Sequence, residues 1–219
     1  MRKPLTLLAA ILASAAMSHG SHVLISPVSA TSTTTGDLWP VSNLVQGPGV
    51  GFDAADPHNQ IGSGGGSRWV TAAPGGFPSD FIVAAGEPVL TFDLGSDTPI
   101  NAIHTWGYSV SNANGVQDFS LRFATDADGT GGFGTSIPSN PMLSMLIDDA
   151  SMQTNGFGAV TARYVEMTVH STYYSNGGQG PPAGGDRVGL GEVAFSVPEP
   201  SSVLLGFLGL AGLAFRRRR

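Results

Sequence analysis

Groups that can exchange protons, attack carbon, hold a metal or stack on a ring are few in this chain. The five histidines are His19, His22, His58, His104 and His170. The first two lie in or beside the N-terminal apolar segment, and no pair has metal-ligand spacing. His58, between Pro57 and Asn59, reads as a loop residue; His104, near Trp106, either packs half-buried or lines a cleft. No serine stands in Gly-x-Ser-x-Gly, and no local triad is visible. Asp148-Asp149 and Asp126-x-Asp128 pair carboxylates. Glycoside cleavage needs two carboxyl groups at a set separation that sequence does not display, and adjacent loop acids are ordinarily solvated. Asp126-Ala127-Asp128-Gly129 lacks the third oxygen position and the distal Glu of a calcium-binding EF-hand, so a turn is expected there. With no catalytic constellation, the expectation is a protein that is not an enzyme.

Aromatic rings and arginines remain. Apolar sugar faces stack on aromatic side chains while polar groups fix the hydroxyls. Trp39, Trp69, Trp106, Tyr108, Tyr173 and Tyr174 are the candidate platforms, with Arg68 and Arg187 as polar partners. Each ring, Trp106 included, has a competing use in packing, because it buries a large area. Arg163 is expected to pair with an acid structurally.

The elements that must position these groups read as strands. Leu90, Phe92 and Leu94 alternate with polar or outward residues until Gly95; Phe119, Leu121 and Phe123 do the same. Val165, Met167 and Val169 form one face against Glu166 and Thr168, and Val193 and Phe195 alternate with Glu192 and Ala194. Each pattern is a strand with one buried face. Ile100 to Tyr108 is apolar with a shifted phase, which predicts a bulge or bend. Strong helix formers are scarce outside the two ends, and Gly, Pro, Ser, Thr and Asn supply many turns. The predicted class is all-β, a β-sandwich or jelly roll with long loops.

Both ends read as addresses. Arg2 and Lys3 precede the apolar Leu5 to Ala13 and the small residues Ala13-Ser14-Ala15-Ala16, the pattern of a secretory signal peptide, assigned to residues 1–20. At the other end, Pro198-Glu199-Pro200 precedes the apolar run Ser201 to Phe215 and then Arg216, Arg217, Arg218 and Arg219. The run is 15 residues and holds Gly206, Gly209 and Gly212. A stable spanning helix needs about 20, so the expected use is a transient stay in the inner membrane with the arginines on the cytoplasmic side. Between the ends, 4 arginines face 15 acids, a net charge of 4 − 15 = −11. Such a surface repels phosphate backbones, which excludes nucleic acid as a partner. No cysteine is present, so an exported domain must rely on its core, or on a metal, for stability.

The Pro-Glu-Pro, apolar run and arginine cluster, in that order at 197–219, resemble the PEP-CTERM sorting signal of Gram-negative bacteria. The resemblance implies a membrane-bound exosortase as processing partner, and an envelope or extracellular destination often linked to exopolysaccharide and biofilm matrix. The body, 23–196, resembles the discoidin or coagulation-factor C-type domain of the galactose-binding-like jelly rolls. The ordered matches are Asn43-Leu44-Val45-Gln46-Gly47, Ser67-Arg68-Trp69, Phe92-Asp93-Leu94-Gly95, Ile100 with Ile103, Ala162-Arg163-Tyr164-Val165 and Gly189-Leu190-Gly191-Glu192-Val193. Gln46 departs from the usual Asp, Ser67 from Thr, and the gap from Gly47 to Trp69 is long.

This second resemblance implies a core place for Trp69 and ligand contact through loops at one end of the sandwich, which favours Trp39, Tyr173 and Tyr174. It also implies a structural calcium as the one cofactor, with Ser67 and Glu192 at the family's positions. Asp53 or Asp56 would supply the carboxylate that Gln46 lacks; the competing reading makes Glu192 an outward strand residue and the aspartates turn formers. The expected function is an exported, non-catalytic module that binds carbohydrate or exopolysaccharide. A self-associating matrix or surface protein is the first alternative, and an envelope polysaccharide-active enzyme the second.

Overall fold

The computed structural model describes residues 23–36, 38–46, 52–53, 56–57, 68–77, 79–108, 113–145, 151–174 and 185–198. The proposed signal peptide, His58, Ser67, Asp148-Asp149 and the tail beyond Pro198 lie outside them, as do the side chains of Asp53 and Asp56.

The chain is all-β and antiparallel. Its strands are β1 (Val23–Ile25), β2 (Ser29–Ser32), β3 (Phe52–Asp53), β4 (Asp56–Pro57), β5 (Trp69–Val70), β6 (Val89–Gly107), β7 (Val116–Ala124), β8 (Ile137–Pro138), β9 (Met152–Thr172) and β10 (Gly189–Val197). A short helix α1 (Phe81–Ala85) starts where the Asp80 side chain accepts from the Val83 N–H, an N-cap that satisfies one of the first turn's orphan donors. A 3-10 turn spans Val41–Val45. Among the described strands, β3 and β4 pair with each other as a separate two-stranded sheet.

Two long strands build both layers. The first part of β6, Val89 to Asp93, pairs with β2 on one side and with Tyr164 to Thr168 of β9 on the other; β9 then pairs with β7, and β7 with β8. The last part of β6, Ala102 to Trp106, pairs with β10 and with Met152 to Gly156 of β9, and β10 pairs with β1. Register shifts between Asp93 and Thr98 and between Ile100 and Ala102 mark the corner. Bulges of this kind bend a strand and increase its twist. The expected bend is therefore present, but Gly95 does not end the strand. At φ 84° it turns β6, in a backbone region that only glycine enters without strain, and its N–H is held at 2.7 Å by Asp93 Oδ1.

The fold-over brings two faces together. Leu90 and Phe92 of β6, Val165, Met167 and Val169 of β9, and Phe119 and Leu121 of β7 meet Ile103, Val193 and Phe195 in one buried core. Phe92 and Phe195 contact edge to face with centroids 5.9 Å apart, although their strand segments do not pair. Arg163 clamps the corner. Its Nε and Nη2 donate to the two Asp93 oxygens at 3.0 and 3.1 Å, and its Nη1 to Asp126 at 2.6 Å. The guanidinium holds the Asp93 carboxyl below the usual carboxylate range. Asp128 accepts from both the N–H and the hydroxyl of Thr125, making the expected turn.

Candidate functional site

β10 begins between β5 and the end of β6: Gly189 faces Val70, while Leu190 faces Trp69 on one side and Gly107 on the other. Five of the seven proposed ligand residues gather around this point with partly exposed side chains. On one flank, Arg68 Nη1 donates to the Tyr108 carbonyl at 3.1 Å, and its guanidinium lies 5.1 Å from the Tyr108 ring centroid. That ring occupies the space a side chain on Gly189 would need. The segment ahead of β5 is held from below by the 3-10 turn, where Asn43 Nδ2 donates to the Arg68 carbonyl at 2.7 Å. Tyr174 closes the end of β9 against Gly185.

On the other flank, Arg187 Nη1 donates to the Thr71 carbonyl at 3.1 Å, and its guanidinium sits 5.4 Å from the Trp39 ring centroid. Asp186 approaches Arg187 Nε at 3.6 Å. Trp39 is placed by backbone bonds: Gly36 N–H to the Val70 carbonyl, Trp39 N–H to the Gly36 carbonyl and Val70 N–H to the Trp39 carbonyl. An open cleft of about 340 Å³ is lined by Gly36, Leu38, Trp39, Ala72, Ala73 and Arg187. A half-exposed indole, a fixed guanidinium and small neighbours form a surface that can stack one apolar face and donate to hydroxyl or carbonyl oxygens.

Two of the seven do not reach this surface. Trp106 is 0 % exposed and packs with Ala194, Leu24 and Met152 on the outer face of the second layer. Tyr173 is 8 % exposed, its hydroxyl donates to the Leu143 carbonyl, and burial pushes its pKa above the ordinary tyrosine range. Its position after β9 suggested a loop, yet the ring turns inward. Trp69 is core, as the resemblance implied.

Of the four calcium candidates only Glu192 has a described side chain. It lies on the outer face of the second layer beside Trp106, but that face is covered there and Glu192 is fully buried rather than facing solvent. A buried carboxylate is a hard oxygen donor that suits calcium. Among the described residues no three His, Asp or Glu side chains come together as a metal site.

The structure also shows a relay that sequence reading missed. His170 Nε2 lies 2.8 Å from Ser120 Oγ, and its Nδ1 lies 2.8 Å from Glu87 Oε1. The members stand 50 and 83 residues from His170 along the chain. The only signal in the sequence is alternation, which puts Ser120 and His170 outward because Phe119, Leu121 and Val169 point in. The order of atoms is that of a nucleophile relay. Ser120, however, is 8 % exposed and sits mid-strand in β7, flanked by Thr168 and Pro138. There the three side chains tie the Glu87 turn across β9 to β7.

A sequence model of the PEP-CTERM protein-sorting motif matches residues 196–219. The chain carries a PEP-CTERM sorting motif. The motif directs export and sorting to the cell envelope or exterior. The motif overlaps the last two residues of β10, where Ser196 Oγ donates to Asn101 Oδ1 at 3.1 Å, so the body closes where the motif begins. No curated protein sequence matches the chain.

Among solved structures, the chain is similar to the CBM32 of AlyQ in complex with 4,5-unsaturated mannuronic acid, at 18% identity and TM-score 0.47, over 80% of this chain and 98% of that one. It is similar to the family 32 CBM of C. perfringens NanJ in complex with galactose, at 12% identity and TM-score 0.48, over 79% and 98%. It is also similar to the lectin domain of lectinolysin complexed with Lewis B antigen, at 16% identity and TM-score 0.48, over 78% and 92%.

Proposed function

We propose that this protein is an exported, non-catalytic glycan-binding module, released or anchored by an exosortase-type enzyme after transit through the inner membrane. It works in the exopolysaccharide of the envelope or matrix. The observation that carries the reading is the Trp39–Arg187 cleft at the start of β10, where a stacking ring and a fixed donor share one open surface. A glycan array and a pull-down with the producing cells' own exopolysaccharide, run with and without calcium, test it. Trp39→Ala should weaken binding about tenfold, the loss of one aromatic stack. Failure of the wild-type chain to bind any glycan would overturn the reading.

Calcium belongs to the same proposal, with Glu192 as the buried donor and Ser67, Asp53 or Asp56 completing the shell. Binding to the folded state alone would raise the melting temperature with calcium concentration. An unchanged Tm in millimolar calcium against chelator removes it.

Self-association is the second reading. It is favoured by exposed Val83 of α1 and Phe77 ahead of that helix, since large apolar groups in the open mark contact surfaces. Light scattering across concentrations, with Phe77→Ser as control, separates an assembling protein from a monomeric binder.

A further inference from the structure

The Trp39 cleft does not end at Ala72. A second depression of about 430 Å³ opens on the other side of that residue, lined by Thr33, Thr34, Pro74, Phe81, Ala85 and Glu87 among others. Ala72 lines both depressions. Their linings come from the same two stretches of chain. One is the stretch that leaves β2, Thr33 and Thr34 leading on to Gly36, Leu38 and Trp39; the other is Ala72, Ala73 and Pro74. Among the described residues, exposed Ala72 is the one side chain common to the two hollows, and it ends in a single methyl. The far rim is held in place, because Glu87 Oε1 is fixed at 2.8 Å by His170, which is itself held by Ser120.

We infer that the two hollows form one groove that takes an internal stretch of a neutral polysaccharide chain, several sugars long, rather than a single terminal sugar. This rests on the glycan-binding reading above. The hollows, about 340 and 430 Å³, adjoin at Ala72, so a ligand that occupies both is longer than one sugar ring. The charges select a neutral chain. The lining holds one arginine, Arg187 beside Asp186, and one glutamate, Glu87 beside His170, so it presents no run of like charge, while 15 acids against 4 arginines between the two end segments push a polyanion away at long range. The hydroxyls of Thr33 and Thr34 offer both donor and acceptor to sugar hydroxyls. Glu87 is an acceptor for them, and Arg187 a donor.

The test is calorimetric titration of the full chain, held in mild detergent because of its apolar tail. The probes are neutral gluco-, manno- and galacto-oligosaccharides of two to six residues, with oligogalacturonate as the acidic comparator. The expected result in at least one neutral series is a Kd falling about tenfold or more from disaccharide to pentasaccharide, with weaker binding of the acidic series. Ala85→Trp fills only the far hollow and should return the pentasaccharide to the disaccharide's Kd without changing the latter. Saturation-transfer NMR on the unsubstituted chain should mark three or more consecutive rings of a bound pentasaccharide, which keeps the test independent of whether the variant folds. Binding that is already maximal with the disaccharide, saturation confined to one ring, or tighter binding of oligogalacturonate would each overturn the groove while leaving glycan binding intact. Absence of binding to all probes would instead sink the glycan reading and the groove with it.

Discussion

On the outer face of the first layer, His170 stands between Glu87 and Ser120 with a third of its side chain in solvent, and nearby Arg122 pairs with Glu166. On the outer face of the second layer, His104 is sealed at 0 % exposure, its Nδ1 2.9 Å from Thr154 Oγ1, beside buried Trp106 and Glu192. Both histidines lie on the long strands that pass through the two layers, and both alternate with core residues. Alternation tells which residues face away from the core. It does not tell whether that second face meets water. Where it does, polar pairs are exchangeable and contribute little; where it does not, every group must be packed or bonded.

The largest effect should come from the sealed face. Trp106→Ala removes a fully buried indole and should cost about 3–5 kcal/mol, read as a fall in denaturation midpoint at unchanged m-value. A loss under about 1 kcal/mol would mean that this face is not sealed in solution.

The corner clamp comes next. Arg163→Ala breaks a bidentate pair and a second carboxylate bond in a partly exposed setting. After solvent screening, its cost should fall between that of Trp106→Ala and that of losing a single neutral hydrogen bond. The acid limb should change too. Asp93 is depressed in the folded state, so its contribution is complete above the unfolded carboxyl pKa of about 3.9 and is lost as pH falls through the lower folded value. Stability measured from pH 6 down to pH 2 should fall less steeply for Arg163→Ala than for the parent chain. Equal slopes would show that the pair does not set the Asp93 carboxyl.

Ser120→Ala should cost about 1 kcal/mol, one hydrogen bond on a half-wet face. It should leave disaccharide affinity in the Trp39 cleft unchanged. Hydrolysis of p-nitrophenyl acetate or of acetylated polysaccharide by the parent chain, abolished in Ser120→Ala, would instead make the relay catalytic. Arg122→Ala, a 42 % exposed side chain on the same face, should move stability by less than about 0.5 kcal/mol. A larger loss would narrow the contrast between the layers.

The inward faces of β6, β7 and β9 are legible in the residue order, because Leu90, Phe92, Phe119, Leu121, Val165, Met167 and Val169 alternate with polar neighbours over complete strands. The corner is half legible: the shifted phase after Ile100 signals a bend, but a glycine that turns a strand and one that ends it look alike in a sequence. The site divides in the same way. Trp39, Arg68, Tyr108, Tyr174 and Arg187 can be chosen by residue type, and the fold gathers them at the start of β10. Trp106 and Tyr173, of the same types, are drawn inward, since a ring's large apolar area packs as readily as it stacks on a ligand. The Glu87–His170–Ser120 relay has no local signature at all.

Residue order alone determined the all-β class, the strand faces, the acidic lysine-free body and the sorting tail, because each depends on composition or on neighbours a few positions apart. Tertiary structure alone decided which second faces stay wet, which rings stay open and that two hollows share Ala72. Those outcomes depend on strands dozens of residues apart coming into register, and no short-range pattern carries that information.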